Sequence, residues 1–171
     1  MTARSFSFAR VREHLLFQTL SDEEWQELLT YLRPSRYQPA QTIFQEGDAS
    51  SDLYLILSGV VELRRQFARH PGDYLLATLH AGRVFGEMSL LTGRRRTTTA
   101  IAIIDVEAAQ LPARNLTLMS PPLQVKLHRA WGEMIGERLH ALESMFADLL
   151  EQRGAENAAV TMATLHQRYQ P

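Results

Sequence analysis

Val84-Phe85-Gly86-Glu87-Met88-Ser89-Leu90-Leu91-Thr92-Gly93-Arg94-Arg95-Arg96-Thr97-Thr98-Thr99-Ala100 is the stretch on which the reading of this chain turns. Its opening, Phe85 to Ser89, has the form of a glycine turn entering a short helix. At such a turn several backbone N–H groups lack an intrahelical partner and point outward together. With the helix dipole behind them they form an anion site suited to a phosphate. Nine residues after Glu87, where a β-branched run predicts a strand, stands Arg96. A return of that length brings a guanidinium back over the helix N-terminus. The cradle then holds backbone donors, one cation and one carboxylate. A bare phosphate is repelled by the carboxylate, whereas a ribose hydroxyl beside a phosphate can use it. That pairing is what a cyclic nucleotide presents. Arg94 and Arg95 read as a solvated loop, and a salt bridge between Arg96 and Glu87 is a further role for that pair.

The segment Phe85 to Leu91 with Arg96-Thr97-Thr98-Thr99 resembles the phosphate-binding cassette of cyclic-nucleotide-binding domains. That family includes the catabolite activator protein, regulatory subunits of cyclic-AMP-dependent kinase and cyclic-nucleotide-gated channels. The resemblance runs from about Leu16 to about Leu150. It implies an α+β fold: a β-roll (a double-stranded jelly-roll barrel) with N-terminal helices, a short cassette helix and a long C-terminal helix. The corresponding divisions are a helical lead-in over 1–37 and a roll over 38–120 with the cassette at 84–100. A lid or dimerisation helix over 121–153 and a tail over 154–171 complete them. Carried over residue by residue, the resemblance assigns a ribose 2′-hydroxyl to Glu87, assisted by Gly86. It gives phosphate oxygens to the backbone N–H groups of Met88 and Ser89, an exocyclic oxygen to Arg96, and a further hydrogen bond to Thr97. Leu63, Leu76, Leu79 and Val84 would line sugar and base. An arginine standing at the mouth of such a site supports no core, so its removal is expected to leave the fold intact.

Outward from the cassette the pattern agrees with a roll flanked by helices. Residues 6–33 read as helical, with Ser21 and Glu24 at capping-box spacing and Trp25, Leu28, Leu29 and Leu32 as an apolar stripe ended by Pro34. From Gln38 short apolar runs alternate with glycine turns: Thr42–Phe44, Leu53–Leu57, Val60–Arg64 and Tyr74–Leu79, with a polar connection at Pro71-Gly72-Asp73. Gly47, Gly59 and Gly82 are expected at positive φ. After the cassette, Thr97–Ile104 and Val106–Leu111 read as strands turned at Asp105. Pro121-Pro122 opens a helix to about Arg153, in which Ile135, Leu139, Leu142, Phe146 and Leu149 step at heptad spacing. This row is either a dimer seam, as the resemblance implies, or a face packed on the chain's own roll. Gly132 and Gly136 imply close backbone packing or a bend. The chain departs from the activator branch in having no polar base-reading residue placed on this helix by the resemblance, and Ser144 is a candidate for that role. Beyond Gly154, the residues Ala158, Met162, Leu165 and Tyr169 again step at helical spacing.

Composition narrows the function. A chain of 171 residues has room for one core and appended helices. A net charge of −1 offers no general field for DNA or an anionic membrane. No cysteine is present, so disulfides, thiol catalysis and thiolate metal sites are excluded. Six histidines lie scattered without ligand spacing, and no nucleophile–base constellation is visible. An enzyme, a metal or a bound cofactor is therefore not expected. The N-terminus lacks the apolar stretch of a secretory signal, and the 18 residues after Arg153 are too few for a helix-turn-helix domain. The expectation is a cytoplasmic, single-domain cyclic-nucleotide receptor, with cyclic AMP ahead of cyclic GMP. It would pass its state through the C-terminal helix to an effector protein. The alternative is an interaction or scaffold protein that keeps the fold without nucleotide regulation.

Overall fold

In the computed structural model, which describes residues 12–153 other than Arg69, Ser21 opens a helix as its spacing to Glu24 predicts. The Glu24 N–H donates to Ser21 Oγ at 3.2 Å and the Ser21 N–H to Glu24 Oε2 at 2.7 Å. Helix α1, Asp22–Tyr31, carries Asp22, Glu23 and Glu24 in its first turn, where the dipole favours them. Trp25 and Leu28 are buried on its inner side. The helical lead-in is shorter than the pattern over 6–33 implied. Within the described residues it consists of a 3-10 turn, Leu15–Phe17, and α1. A proline disfavours helical backbone in the residue before it. Accordingly Arg33 is the first residue of strand β1, Arg33–Tyr37, and Leu32 ahead of it is already extended. The roll thus starts at Arg33 and not at Gln38. Pro34 is tolerated because β1 is an edge strand.

Seven further strands follow: β2 Thr42–Phe44, β3 Leu53–Ser58, β4 Val60–Phe67, β5 His70–His80, β6 Val84–Phe85, β7 Thr99–Ala102 and β8 Val106–Leu111. They form two four-stranded sheets, β1-β8-β3-β6 and β2-β7-β4-β5, with every pairing antiparallel. Two boundaries depart from the sequence pattern. Pro71-Gly72-Asp73 belongs to β5 and is not a separate connection. An edge strand has one side without ladder bonds, so a proline near its start costs no pairing. Strand β7, Thr99–Ala102, is shorter than Thr97–Ile104.

Alternation along the first sheet creates two apolar layers. Tyr54, Ile56, Phe85, Val106 and Ala108 face the roll interior, where they meet Phe44, Val61, Ala100 and Ala102. Leu53, Leu55, Val84, Ala109 and Leu111 have the opposite parity and are equally buried. Trp25 and Leu28 of α1 are buried too, as are Leu123 and Leu127 further along. Polar clamps fasten the same parts: Lys126 Nζ to Glu24 Oε2 at 2.6 Å, and Ser120 Oγ to Glu27 Oε2 at 2.7 Å. Gly47, Gly59 and Gly82 all take positive φ as expected. Gly59 has a second reason to be glycine, since a Cβ there would lie 2.4 Å from the Asp105 carbonyl.

Helix α3, Pro121–Arg153, is continuous, although the chain divides by contact at Ala130 and Trp131. In the second unit Leu139, Leu142, Met145 and Leu149 are exposed, Leu142 at 61 %. Most of the expected seam is therefore open to solvent in a single chain. The tail residues after Arg153 lie outside the described residues. Gly132 and Gly136 do not mark close packing, because a Cβ at either would meet nothing within 4 Å. Nor does either interrupt the helix. Gly136 stands off the 135-139-142 row and carries only the entropy penalty of a helical glycine. Gly136→Ala is expected to stabilise the protein by about 1 kcal/mol, raising the melting temperature by about 2–4 °C in a thermal scan.

Candidate functional site

Strand β6 delivers the chain to Gly86, which caps helix α2, Glu87–Thr92, from the left-handed region at φ 81° and ψ 1°. Gly93 ends α2 in the same way at φ 66°, its N–H bonding the Ser89 carbonyl at 3.0 Å. The return segment then carries Arg96 back beside Gly86. Arg96 is only 3 % exposed. Its Nη1 donates to the Gly86 carbonyl at 2.8 Å, its Nη2 to the Asp52 carbonyl at 2.6 Å and its Nε to Ser50 Oγ at 3.1 Å. The guanidinium carbon lies 4.1 Å from the ring centre of Phe44 and 5.9 Å from that of Tyr54, in cation–π range. Packing here leaves no slack: a Cβ on Gly86 would sit 2.7 Å from both Arg96 Nη1 and the Asp52 carbonyl.

The backbone of Arg96 is held as firmly as its side chain. Its N–H donates to the Asp48 carbonyl at 2.9 Å, and its carbonyl accepts from Gly47 N–H at 2.8 Å. Arg94 and Arg95 are exposed, as expected of a solvated loop, yet Arg95 Nη1 still donates to the Gly47 carbonyl at 2.7 Å. The loop 46–52 is thus built around the cassette arginine. Burial pushes the Arg96 pKa below its ordinary value, opposed by Tyr54, Asp52, Asp48 and Glu87. Glu87 itself is 5 % exposed, so its carboxylate sits within the protein near the cation. Tyr54 is pushed well above the usual phenol range, chiefly by burial.

The arginine therefore does not stand at an open mouth without supporting a core. It joins Gly86, the 46–52 loop and the aromatic ring of Phe44. Three of its five N–H donors are used within the protein. Among the described residues the two others, one on each Nη, take no hydrogen bond. Met88 and Ser89 lie in the first turn of α2, whose leading N–H groups have no intrahelical acceptor. The Met88 side chain is exposed and that of Ser89 is buried. Thr97 is exposed immediately after the arginine.

The expected apolar lining is only partly brought together. Leu63 and Leu79 are half-buried and pack on the interior cluster of the roll. Leu76 falls in a β-bulge, because Leu63 pairs with Ala77 while Arg64 pairs with Leu75; it is 49 % exposed at the sheet edge. Val84 faces away. It precedes the inward Phe85, pairs with Leu55 and is buried in the outer layer, so it cannot line an interior pocket. The sequence reading missed Ser50, Asp52 and Phe44 as supports of the arginine. Gly47 signalled a turn, but nothing local tells that the turn wraps Arg96, more than 40 positions away.

The cyclic nucleotide-binding domain family model matches residues 34–119. The chain is 33 % identical over 144 residues to the cyclic AMP receptor protein of Thermus thermophilus, covering 83 % of this chain and 64 % of that protein. The crystal structure of the Thermus thermophilus catabolite activator protein superposes with a TM-score of 0.71 at 31 % identity, covering 80 % of this chain and 63 % of that one. A cAMP-dependent protein kinase regulatory subunit of Colletotrichum orbiculare is 33 % identical over 103 residues, 59 % of this chain and 25 % of that protein. The chain belongs to the cyclic nucleotide-binding domain family. It spans less than two thirds of the length of the cyclic AMP receptor protein that it matches.

Removing the arginine tests its double attachment without any ligand. Arg96→Ala leaves two carbonyls without their charged donor and uncovers the face of Phe44. A part-buried acceptor left unpaired costs about 1–3 kcal/mol, so the loss expected in chemical denaturation of the ligand-free protein is about 2–4 kcal/mol. An unchanged denaturation midpoint would show that the guanidinium carries no structural share.

Proposed function

We propose that this chain is a cyclic-nucleotide receptor, binding cyclic AMP in preference to cyclic GMP, that signals to a partner protein through α3. The observation that carries the reading is the buried pair Arg96 and Glu87 beside the left-handed Gly86, with two guanidinium donors left over. A domain that kept only the fold would gain nothing from a charge pair inside the protein, because burying ions is costly. In this reading Glu87 accepts from the ribose 2′-hydroxyl, the N–H groups of Met88 and Ser89 hold phosphate oxygens, and Arg96 takes an exocyclic oxygen. Leu63 and Leu79 face the base and sugar, and Thr97 serves either the phosphate or the 2-amino group of a guanine. Two relatives, a cyclic AMP receptor protein and a cAMP-dependent protein kinase regulatory subunit, support the cyclic AMP preference. No resident cofactor, metal or catalytic step is part of it. Among the described residues no helix is long and apolar enough to cross a membrane, and no cluster of acidic and histidine side chains could hold a metal.

Calorimetric titration with cyclic AMP and cyclic GMP is the direct test. A nucleotide at about 100 times its dissociation constant should stabilise the protein by about 2.7 kcal/mol. Absence of binding by both would leave the scaffold reading. Thr97→Ala refines the result: if the hydroxyl reads guanine, cyclic GMP should lose about 1 kcal/mol more than cyclic AMP. An equal loss assigns Thr97 to the phosphate.

The exposed apolar row on α3 supports association of two copies, since Leu139, Leu142 and Leu149 are each more than half exposed in one chain. Leu142→Glu is expected to give a monomer by light scattering that still binds nucleotide. A wild-type protein that is already monomeric at high concentration would remove this part of the proposal.

A further inference from the structure

His14 fastens the helical lead-in to the roll. Its backbone is extended, at φ −70° and ψ 139°, and it is the N-cap of the 3-10 turn Leu15–Phe17. The cap bond runs from the Leu16 N–H to His14 Nδ1 at 3.2 Å. Serine, threonine, aspartate and asparagine are the usual holders of such a post. None of them changes its protonation near neutral pH, whereas an imidazole does. On the other side of the ring lies Gly82, in the turn between β5 and β6 at φ 83°. The Gly82 N–H is already given to the Ile56 carbonyl at 2.8 Å, so the hydrogen bond between the ring and the Gly82 backbone uses the Gly82 carbonyl. Nδ1 must be bare to accept from Leu16, which puts the proton of the neutral ring on Nε2. One neutral tautomer therefore serves both partners.

The turn that His14 caps is part of the packed structure. Leu16 and Phe17 are buried, the ring centre of Phe17 lies 6.0 Å from that of His14, and it lies 5.8 Å from that of Trp25 in α1. The half-buried imidazole borders a cavity of about 350 Å³ to which β3 contributes Leu55, Ile56 and Leu57, none of them charged. Among the described residues two charged side chains face the ring: Glu13, which lines the same cavity, and Arg83, which follows Gly82. Arg12, on the other flank, is paired with Asp22.

We propose that His14 is a pH-operated clasp: neutral, it ties the Leu15–Phe17 turn to the β5–β6 turn, and protonated, it lets the Leu15–Phe17 turn go. The second proton can only go to Nδ1, where the new N–H would face the N–H of Leu16, donor against donor. The bond to the Gly82 carbonyl survives, so protonation removes the cap and leaves the ring on the β5–β6 turn. Burial is the main force lowering the His14 pKa from 6.5; the Gly82 carbonyl opposes it, and Arg83 adds to the lowering. With the folded value below the unfolded one, the stabilisation is complete above about pH 6.5 and is lost as pH falls through the folded value. The neighbouring cap of α1 behaves differently. The Glu24 carboxylate of its capping box is held below its ordinary value, first by its hydrogen bond with Lys126, so that box stays intact while the histidine titrates. The clasp needs no nucleotide and is tested separately from the receptor reading.

Nitrogen-15 NMR of the full ligand-free chain between about pH 7.5 and about pH 5 tests the clasp. The reporters are the His14 ring nitrogens and the Leu16 amide, and the control is the Trp25 amide, which bonds the Ser21 carbonyl in α1. At the upper pH the ring should be the Nε2–H tautomer, and its titration midpoint should lie below about 6.5. Exchange protection at Leu16, corrected for the intrinsic effect of pH, should fall by about threefold or more in step with the ring, while Trp25 holds. His14→Asn keeps an acceptor at the place of Nδ1 and does not titrate, so Leu16 should stay protected throughout. His14→Ala should leave Leu16 unprotected at both ends of the range. If a variant does not fold, the wild-type titration decides alone. An Nδ1–H tautomer, a midpoint at or above about 6.5, or Leu16 protection that ignores pH in wild type would each overturn the clasp. So would an equal loss at Leu16 and Trp25, or the same pH-dependent loss in His14→Asn.

Discussion

A cation enclosed in a protein must be answered by oxygen atoms or aromatic faces, because its lost hydration is otherwise uncompensated. Arg96 is answered by two carbonyls, one hydroxyl and the ring of Phe44, drawn from the 46–52 loop, Gly86 and β2. Much of the site's geometry follows from meeting that demand. Gly86 has to be glycine so that its carbonyl can approach the guanidinium, and the loop before β3 has to fold inward so that Asp52 and Ser50 can reach it. The same contacts orient the fork before any ligand arrives. A preordered donor loses less freedom on binding, which favours affinity.

Much of this was legible in the chain. The Gly86-Glu87 pair and its spacing to Arg96 are local features, and the structure brings Gly86 and Arg96 together at 2.8 Å. The Ser21–Glu24 capping box is local too, and both of its hydrogen bonds form. What escaped was whatever depends on a partner distant in sequence. Alternation along Val84-Phe85 shows that the two residues face opposite ways, but not which way is inward. The resemblance offers Val84 to the ligand, whereas it is Phe85 that holds the interior position. Leu76 looked like its neighbour Leu79 until the bulge opposite Arg64 carried it to the edge. Pro71 and Pro34 looked like breaks, and both lie in edge strands, where a proline is no break at all. The supports of Arg96 carry no signal of their own: a serine and an aspartate in a polar loop are ordinary until the arginine is laid against them.

The order of the strands has a bearing on how the molecule is made. Among the described residues β4 with β5 is the one pairing between consecutive strands; β1 waits for β8, β2 for β7 and β3 for both β6 and β8. Bringing such distant segments together costs loop-closure entropy before any contact repays it, so the hairpin is the natural place for assembly to begin and the rate is that of a non-local fold. During synthesis the first sheet cannot close until Leu111 has emerged, because β8 is the strand that joins β1 to β3. A nascent chain that has not yet made β8 can pair β4 with β5 and β3 with β6, but leaves β1 without its neighbour.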